Sequence, residues 1–236
     1  MSDSLPGEPL LAAANLTKSY GNSTALAGVS LQVRPGEATA VMGASGSGKT
    51  TLLHCLAGIV LPDAGSVRYA GAASVEVTSL DDEARSALRR TEFGFVFQQG
   101  LLIPELTAGE NVALALMLNG TARPAAEQQA AAALGSLGLA GMEGRRIGEL
   151  SGGQAQRVAI ARAQVNGARV LFADEPTGAL DSQTSADVMA LLLQSVAGTG
   201  RALVVVTHDP EVARWCSRVV TLADGRIVAD TAGVAR

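Results

Sequence analysis

Val41-Met42-Gly43-Ala44-Ser45-Gly46-Ser47-Gly48-Lys49-Thr50-Thr51 decides the fold. An apolar stretch runs into a turn of the form G-x-x-x-x-G-K-[ST], and a helical pattern begins at once. Glycines let successive backbone N–H groups turn inward without Cβ obstruction, and the helix N-terminus adds positive potential. A turn of this kind cradles the phosphates of a nucleotide. Lys49 would reach the β and γ phosphates, Thr50 would offer its hydroxyl to Mg²⁺, and Thr51 sits beside it in the first helical turn. Of the 18 basic residues only Lys18 and Lys49 are lysines, so the placement of Lys49 carries weight. The alternative is a glycine-rich turn with an exposed lysine.

Outward from that turn, 236 residues at 47% hydrophobic and 17% charged can bury one sizeable core, and a single domain over residues 1–236 is expected. No window approaches the roughly 20 apolar residues that span a bilayer. The opening stretch to Pro9 carries Asp3 and Glu8 and lacks the basic start of a secretory signal, so the expected location is cytoplasmic. A net charge of −4 has the wrong sign for broad contact with a phosphate backbone, which argues against nucleic acid as the main ligand. Cys55 and Cys216 each lie in an apolar stretch and are expected to be buried thiols rather than a disulfide.

Short β-branched segments alternate with helical patterns, as in an α/β domain built on a largely parallel sheet. Strands are expected to end at Val41-Met42 and to cover Phe93 to Phe97, Val170 to Ala173 and Ala202 to Thr207. A hairpin is expected from Val219 to Leu222 and Arg226 to Val228 across Asp224-Gly225. The pattern from Thr50 to Gly58 predicts a helix with Leu52, Leu53, Leu56 and Ile59 inward, and residues 62–65 look like an ordinary turn. Between Gln98 and Leu150 strands vanish. Thr107-x-x-Glu110 is a capping box and Pro124 a first-turn proline, so about 99–150 reads as an inserted helical lobe.

Two further clusters carry chemistry. Val170-Leu171-Phe172-Ala173-Asp174-Glu175 is an apolar strand ending in two acids, and such an end faces the ligand crevice of an open α/β sheet. Asp174 would hold Mg²⁺ through water and Glu175 would accept a proton from, or orient, an attacking water. Leu150-Ser151-Gly152-Gly153-Gln154 precedes a helical run from Gln156 to Gln164. Ser151-x-x-Gln154 is by itself a capping box, but two glycines in a first helical turn cost up to ~1 kcal/mol each against alanine, which suggests close approach of a second phosphate.

From about Leu11 to Val228 the chain resembles the ATPase subunit of an ABC transporter. Gly43 to Thr50 resembles the Walker A loop, Leu150 to Gln154 the signature, and Asp174-Glu175 the Walker B acid with the catalytic glutamate. By the same resemblance Tyr20 stacks on adenine, Gln98 links metal and permease, Ala179-Leu180-Asp181 is the D-loop, and His208 is the switch histidine. The rivals remain open here. Tyr20 is also an ordinary turn residue, Gln99 competes with Gln98, and His208 flanks the helix cap Asp209-Pro210.

The resemblance implies a P-loop NTPase fold with a largely parallel core, an antiparallel β subdomain and the helical insert. It also implies ATP and Mg²⁺ as cofactors, with Thr50, Gln98 and Asp174 at the metal. A second copy would pair head to tail, lending Ser151, Gly152, Gly153 and Gln154 to the partner's ATP, and a separate integral-membrane permease would be driven from the inner face of the membrane. Leu80-Asp81-Asp82-Glu83, Phe93 to Gln98 and Leu106-Thr107-Ala108 are similar to the group serving lipoprotein release and macrolide or peptide export. Ile147 and Ala155 depart from that group's usual proline and glutamine. Its cell-division relatives imply the alternative of an ATP-dependent regulatory switch without transport. Phe97 to Pro104 offers apolar side chains either to the permease or to the core.

Overall fold

The computed structural model describes residues 8–71, 74–98 and 100–231. Gln99, the rival of Gln98, and the opening residues 1–7 lie outside them. Strands β1 (Leu11–Tyr20), β2 (Ser23–Val33), β4 (Ala64–Ala70) and β5 (Ser74–Glu76) form an antiparallel sheet in the order β2-β1-β4-β5. A second sheet holds β3 (Ala38–Met42), β6 (Phe93–Phe97), β7 (Val170–Asp174), β8 (Ala202–Thr207), β9 (Arg218–Ala223) and β10 (Arg226–Asp230), in the order β10-β9-β3-β8-β7-β6. Its β9-β3-β8-β7-β6 pairs are parallel, and β10 returns antiparallel across Asp224-Gly225.

Side-chain alternation divides this second sheet between two cores. Ala202, Val204 and Val206 of β8, with Val170 and Phe172 of β7, face the antiparallel sheet and helix α1 (Lys49–Leu56). Leu203, Val205, Leu171 and Ala173 face the other way, onto a helical layer. That layer includes α3 (Ala108–Met117), α4 (Arg123–Ser136), α5 (Gly152–Gln164), α6 (Ser182–Gln194) and α7 (Pro210–Arg214), while α2 (Asp82–Thr91) leads into β6. Phe93 packs edge-on against both Tyr69 and Phe172, at centroid distances of 5.1 and 5.4 Å, which locks β4, β6 and β7 together.

The local signals act as their chemistry requires. Thr107 and Glu110 close the capping box of α3, Ser151 and Gln154 that of α5, and Pro124 opens α4. Both cysteines are free and buried. Two expectations need correction. Helix α1 stops at Leu56, and Gly58 at φ +62° turns the chain, so Ile59 leaves the inward face and is 43% exposed. Residues 64 and 65 are not part of a free turn: they begin β4, with Gly65 pressed against the backbone of Asn15.

Candidate functional site

Every parallel strand that bears a predicted site residue ends on the same side, so β3, β6, β7 and β8 deliver their C-terminal residues into one crevice. The turn after β3 forms its floor. Lys49 is buried and its Nζ donates to the carbonyl oxygens of Gly43 and Ala44, both at 2.8 Å, which closes the loop into a ring. Gly48 sits at φ +102°, and a Cβ there would overlap the carbonyl oxygen of Ala25; one at Gly43 would overlap that of Leu222. Glycine is needed at both positions by conformation and by space. The β9–β10 turn buttresses the loop: Gly225 N donates to Ser47 O at 3.1 Å, and Ala27 N to Gly225 O at 2.8 Å.

Ala44, Ser45, Gly46, Gly48, Lys49, Thr50, Thr51, Glu175 and His208 line one cleft of about 550 Å³, together with Ala25. Ser47 Oγ is buried at the loop with no hydrogen-bond partner among the described residues. That hydroxyl is turned away from the cleft, whereas the Lys49 ammonium, the Thr50 and Thr51 hydroxyls and the N-terminus of α1 line it around side-chain-free Gly46 and Gly48, so the loop fits a nucleotide triphosphate.

The acids occupy the wall. Thr50 Oγ1 donates to Asp174 Oδ2 at 3.1 Å. Burial pushes the Asp174 carboxyl above its ordinary range, while the Thr50 hydrogen bond works in the opposite direction. Gln98 shares an adjoining cavity with Thr50, Asp174 and Glu175. A hydroxyl, a carboxylate and an amide line this cavity, groups whose oxygens are the hard donors that suit Mg²⁺, and a cation would relieve the cost of the half-buried Asp174 charge.

Glu175 stands at φ +47°, an uncommon conformation for its residue type that aims the carboxylate across the strand ends. Thr207 Oγ1 donates to Glu175 Oε2 at 3.2 Å, and His208 Nδ1 lies 2.8 Å from Oε1. The carboxylate is therefore held from β8 while the imidazole remains largely exposed. Neither Thr207 nor Ala25 is singled out by the sequence. Thr207 leaves only the weak signal of a hydroxyl closing an apolar strand, and Ala25 leaves none.

Other predicted residues lie apart from the cleft. Ser151 and Gly152 are exposed at the tip of α5, where Gly152 approaches Leu180 and Gly153 approaches Thr184. Asp181 caps α6, with Oδ1 accepting from Thr184 N at 3.0 Å and Oδ2 from Thr184 Oγ1 at 2.7 Å; the backbone bond, followed by the side-chain bond, holds its carboxyl below the ordinary range. Tyr20 is 52% exposed at the end of β1, with Lys18 Nζ 5.7 Å from its ring centroid.

Known proteins share this arrangement. The chain is 47% identical over 231 residues to the pyoverdine export ATP-binding/permease protein PvdT of Pseudomonas putida, a match covering 95% of this chain and 34% of that protein. It is 44% identical over 236 residues to the macrolide export ATP-binding/permease protein MacB of Nitrosomonas europaea, covering 98% of this chain and 35% of that one. The chain thus spans about a third of the length of these curated relatives. A bacterial ABC transporter cassette solved as a dimer superposes with a TM-score of 0.85 at 39% identity, covering 93% of this chain and 97% of that one. An ATP-binding cassette solved as a dimer in a post-hydrolysis state with ADP and Pi superposes equally well at 38% identity, with the same coverage. The ABC transporter family model matches residues 26–178, a span that holds the phosphate loop, the α5 tip and both acids. More than half of the chain follows that pattern in order and in space, and the chain belongs to the ABC transporter family of ATP-binding cassettes.

Proposed function

We propose that the chain is the ATP-hydrolysing motor of an ABC transporter of the export type, working as a head-to-tail pair that drives an integral-membrane permease. The observation that carries this reading is the Glu175 carboxylate, fixed between Thr207 and His208 at the mouth of the cleft that Lys49 and Thr50 line. Names of relatives that join ATP-binding to permease and export, and the solved dimers, support it.

Within one chain the residues divide the work. Backbone N–H groups of the loop and Lys49 grip the β and γ phosphates, and Tyr20 provides a stacking face for adenine. Thr50, Asp174 and Gln98 hold Mg²⁺, which when bound neutralises charge on the phosphates. Glu175 orients the attacking water and accepts its proton, and His208 holds Glu175 and reaches toward the γ-phosphate. Closure requires a second copy. Ser151 and Gly152 stand exposed, Gly153 and Gln154 are partly exposed behind them, and all four lie away from their own cleft, so the positive end of α5 is free to cap a triphosphate held by another chain. Asp181, beside that tip through Leu180 and Thr184, lies at the same junction.

The segment 99–150 acts as a helical subdomain that, with the turn after β6, receives the permease, placed here on a separate chain. Leu101 at 59% and Ile103 at 38% exposure favour docking over core packing for those two side chains. No helix among the described residues is long and apolar enough to cross a membrane. In this reading the permease holds the motor at the inner face of the membrane.

The test is ATP turnover by the purified chain across protein concentration. Turnover per molecule is expected to rise with concentration and to vanish at high dilution; a rate per molecule that dilution leaves constant overturns the paired site. Tyr20→Ala should raise the dissociation constant for ATP by about fivefold to a hundredfold, the range of base-stacking contributions, with kcat little changed. Unaltered ATP affinity in isothermal titration would remove Tyr20 from the adenine site.

A further inference from the structure

Two side chains of α5 are directed not into the helical layer alone but onto the main chain of another segment. Gln156, 3% exposed, donates from Nε2 to the carbonyl oxygens of Phe97 at 3.0 Å and Pro176 at 2.7 Å. Arg162 donates from Nη1 to Leu101 O at 2.8 Å and from Nη2 to Gly100 O at 2.7 Å. No carboxylate pairs with Arg162 among the described residues, and burial works against its charge, so two backbone carbonyls are what its guanidinium has been given.

The segment they hold is an unusual one. It follows β6, begins with Gln98, and passes through two residues of positive φ, Gly100 at +66° and Leu101 at +45°. Leucine is rarely found there and does not stay without outside support. Ala159 of α5 lies directly under Gly100, so the turn rests on the helix surface. Pro176 follows Glu175, and Gln98 faces Thr50, Asp174 and Glu175 across their shared cavity. One helix therefore grips the chain just beyond β6 and just beyond β7, on either side of the acids.

We infer that Gln156 and Arg162 are positioning residues: they bind the Gln98 turn to the helix whose tip is Ser151, so the setting of that helix determines where Gln98 stands in the cleft of the same chain. This rests on the ATPase reading given above.

The experiment is steady-state ATP hydrolysis by the purified chain, with ATP and Mg²⁺ titrated separately. Arg162→Met is expected to lower kcat by about tenfold to a hundredfold, as displacement of reacting groups by about 1 Å does, and to raise the Mg²⁺ concentration for half-maximal rate. KM for ATP should change by less than about threefold, because the phosphate loop is untouched. Adding Leu101→Gly should restore most of kcat, since glycine adopts the turn unaided. Where Arg162→Met does not fold, Arg162→Lys serves instead: its ammonium lacks the fork that grips both carbonyls, and a partial loss restored by Leu101→Gly is expected. A variant as fast as wild type, a loss that Leu101→Gly leaves untouched, or a change in KM alone would overturn the clamp. A wild-type chain that hydrolyses nothing overturns the ATPase reading itself, whereas an active wild type beside an equally active Arg162→Met overturns the clamp alone.

Discussion

Glu175→Gln is expected to bind ATP nearly as well as the wild type and to turn it over about 10²-fold more slowly or worse, the scale of removing one preorganised catalytic group. The substitution keeps the size of the side chain and lets an amide oxygen accept the Thr207 hydroxyl, so the φ +47° setting of the backbone need not change. What disappears is the negative charge proposed to orient water and take its proton. The lost rate should therefore appear in kcat and not in ATP affinity. In the proposed head-to-tail pair, ATP that is not hydrolysed would keep the two copies together, so the variant should also accumulate as an ATP-bound dimer in size-exclusion chromatography with light scattering. Hydrolysis at the wild-type rate would remove Glu175 from the reaction and leave its contact with His208 a structural one.

Gly48→Ala should act at the opposite wall and by another route. At φ +102° an alanine is strained by ~1–3 kcal/mol, and its Cβ would overlap the Ala25 carbonyl oxygen, a backbone atom that cannot rotate away. The loop must shift, and with it the amide groups that face the phosphates. A loss of about 2 kcal/mol in binding corresponds to roughly a thirtyfold higher dissociation constant for ATP. Gly46 is the internal control. Its φ of +79° imposes a similar strain, but open space surrounds it, so Gly46→Ala should cost stability in urea unfolding with a smaller effect on ATP binding. Equal ATP affinity for Gly48→Ala and wild type would show that close packing on Ala25 is not what shapes the cradle.

The parallel half of the fold was legible because its strands are buried on both faces and its caps are local chemistry. Phe93–Phe97 and Ala202–Thr207 fall where β-branched and aromatic runs put them, and the boxes at Thr107 and Ser151 close within three residues. The antiparallel sheet was expected only through resemblance. β1 meets β2 across the short turn Gly21-Asn22 but meets β4 only from far along the chain, and bulges in both pairings interrupt the alternation that would have announced them. Ile59 was misplaced for a related reason: a helical pattern cannot register that Gly58 has turned out of the helix.

The phosphate loop, the paired acids and the signature tip are contiguous stretches, so residue types and spacing alone determine them: a glycine at a given offset has the same conformational freedom wherever the chain later places it. Distances between segments are another matter. That Thr207 holds Glu175, that Ala25 forces Gly48 to lack a side chain, and that Arg162 grips the turn after Gln98 depend on which strand lies beside which. Sheet order and packing decide that, through contacts between residues far apart along the chain that carry no local trace.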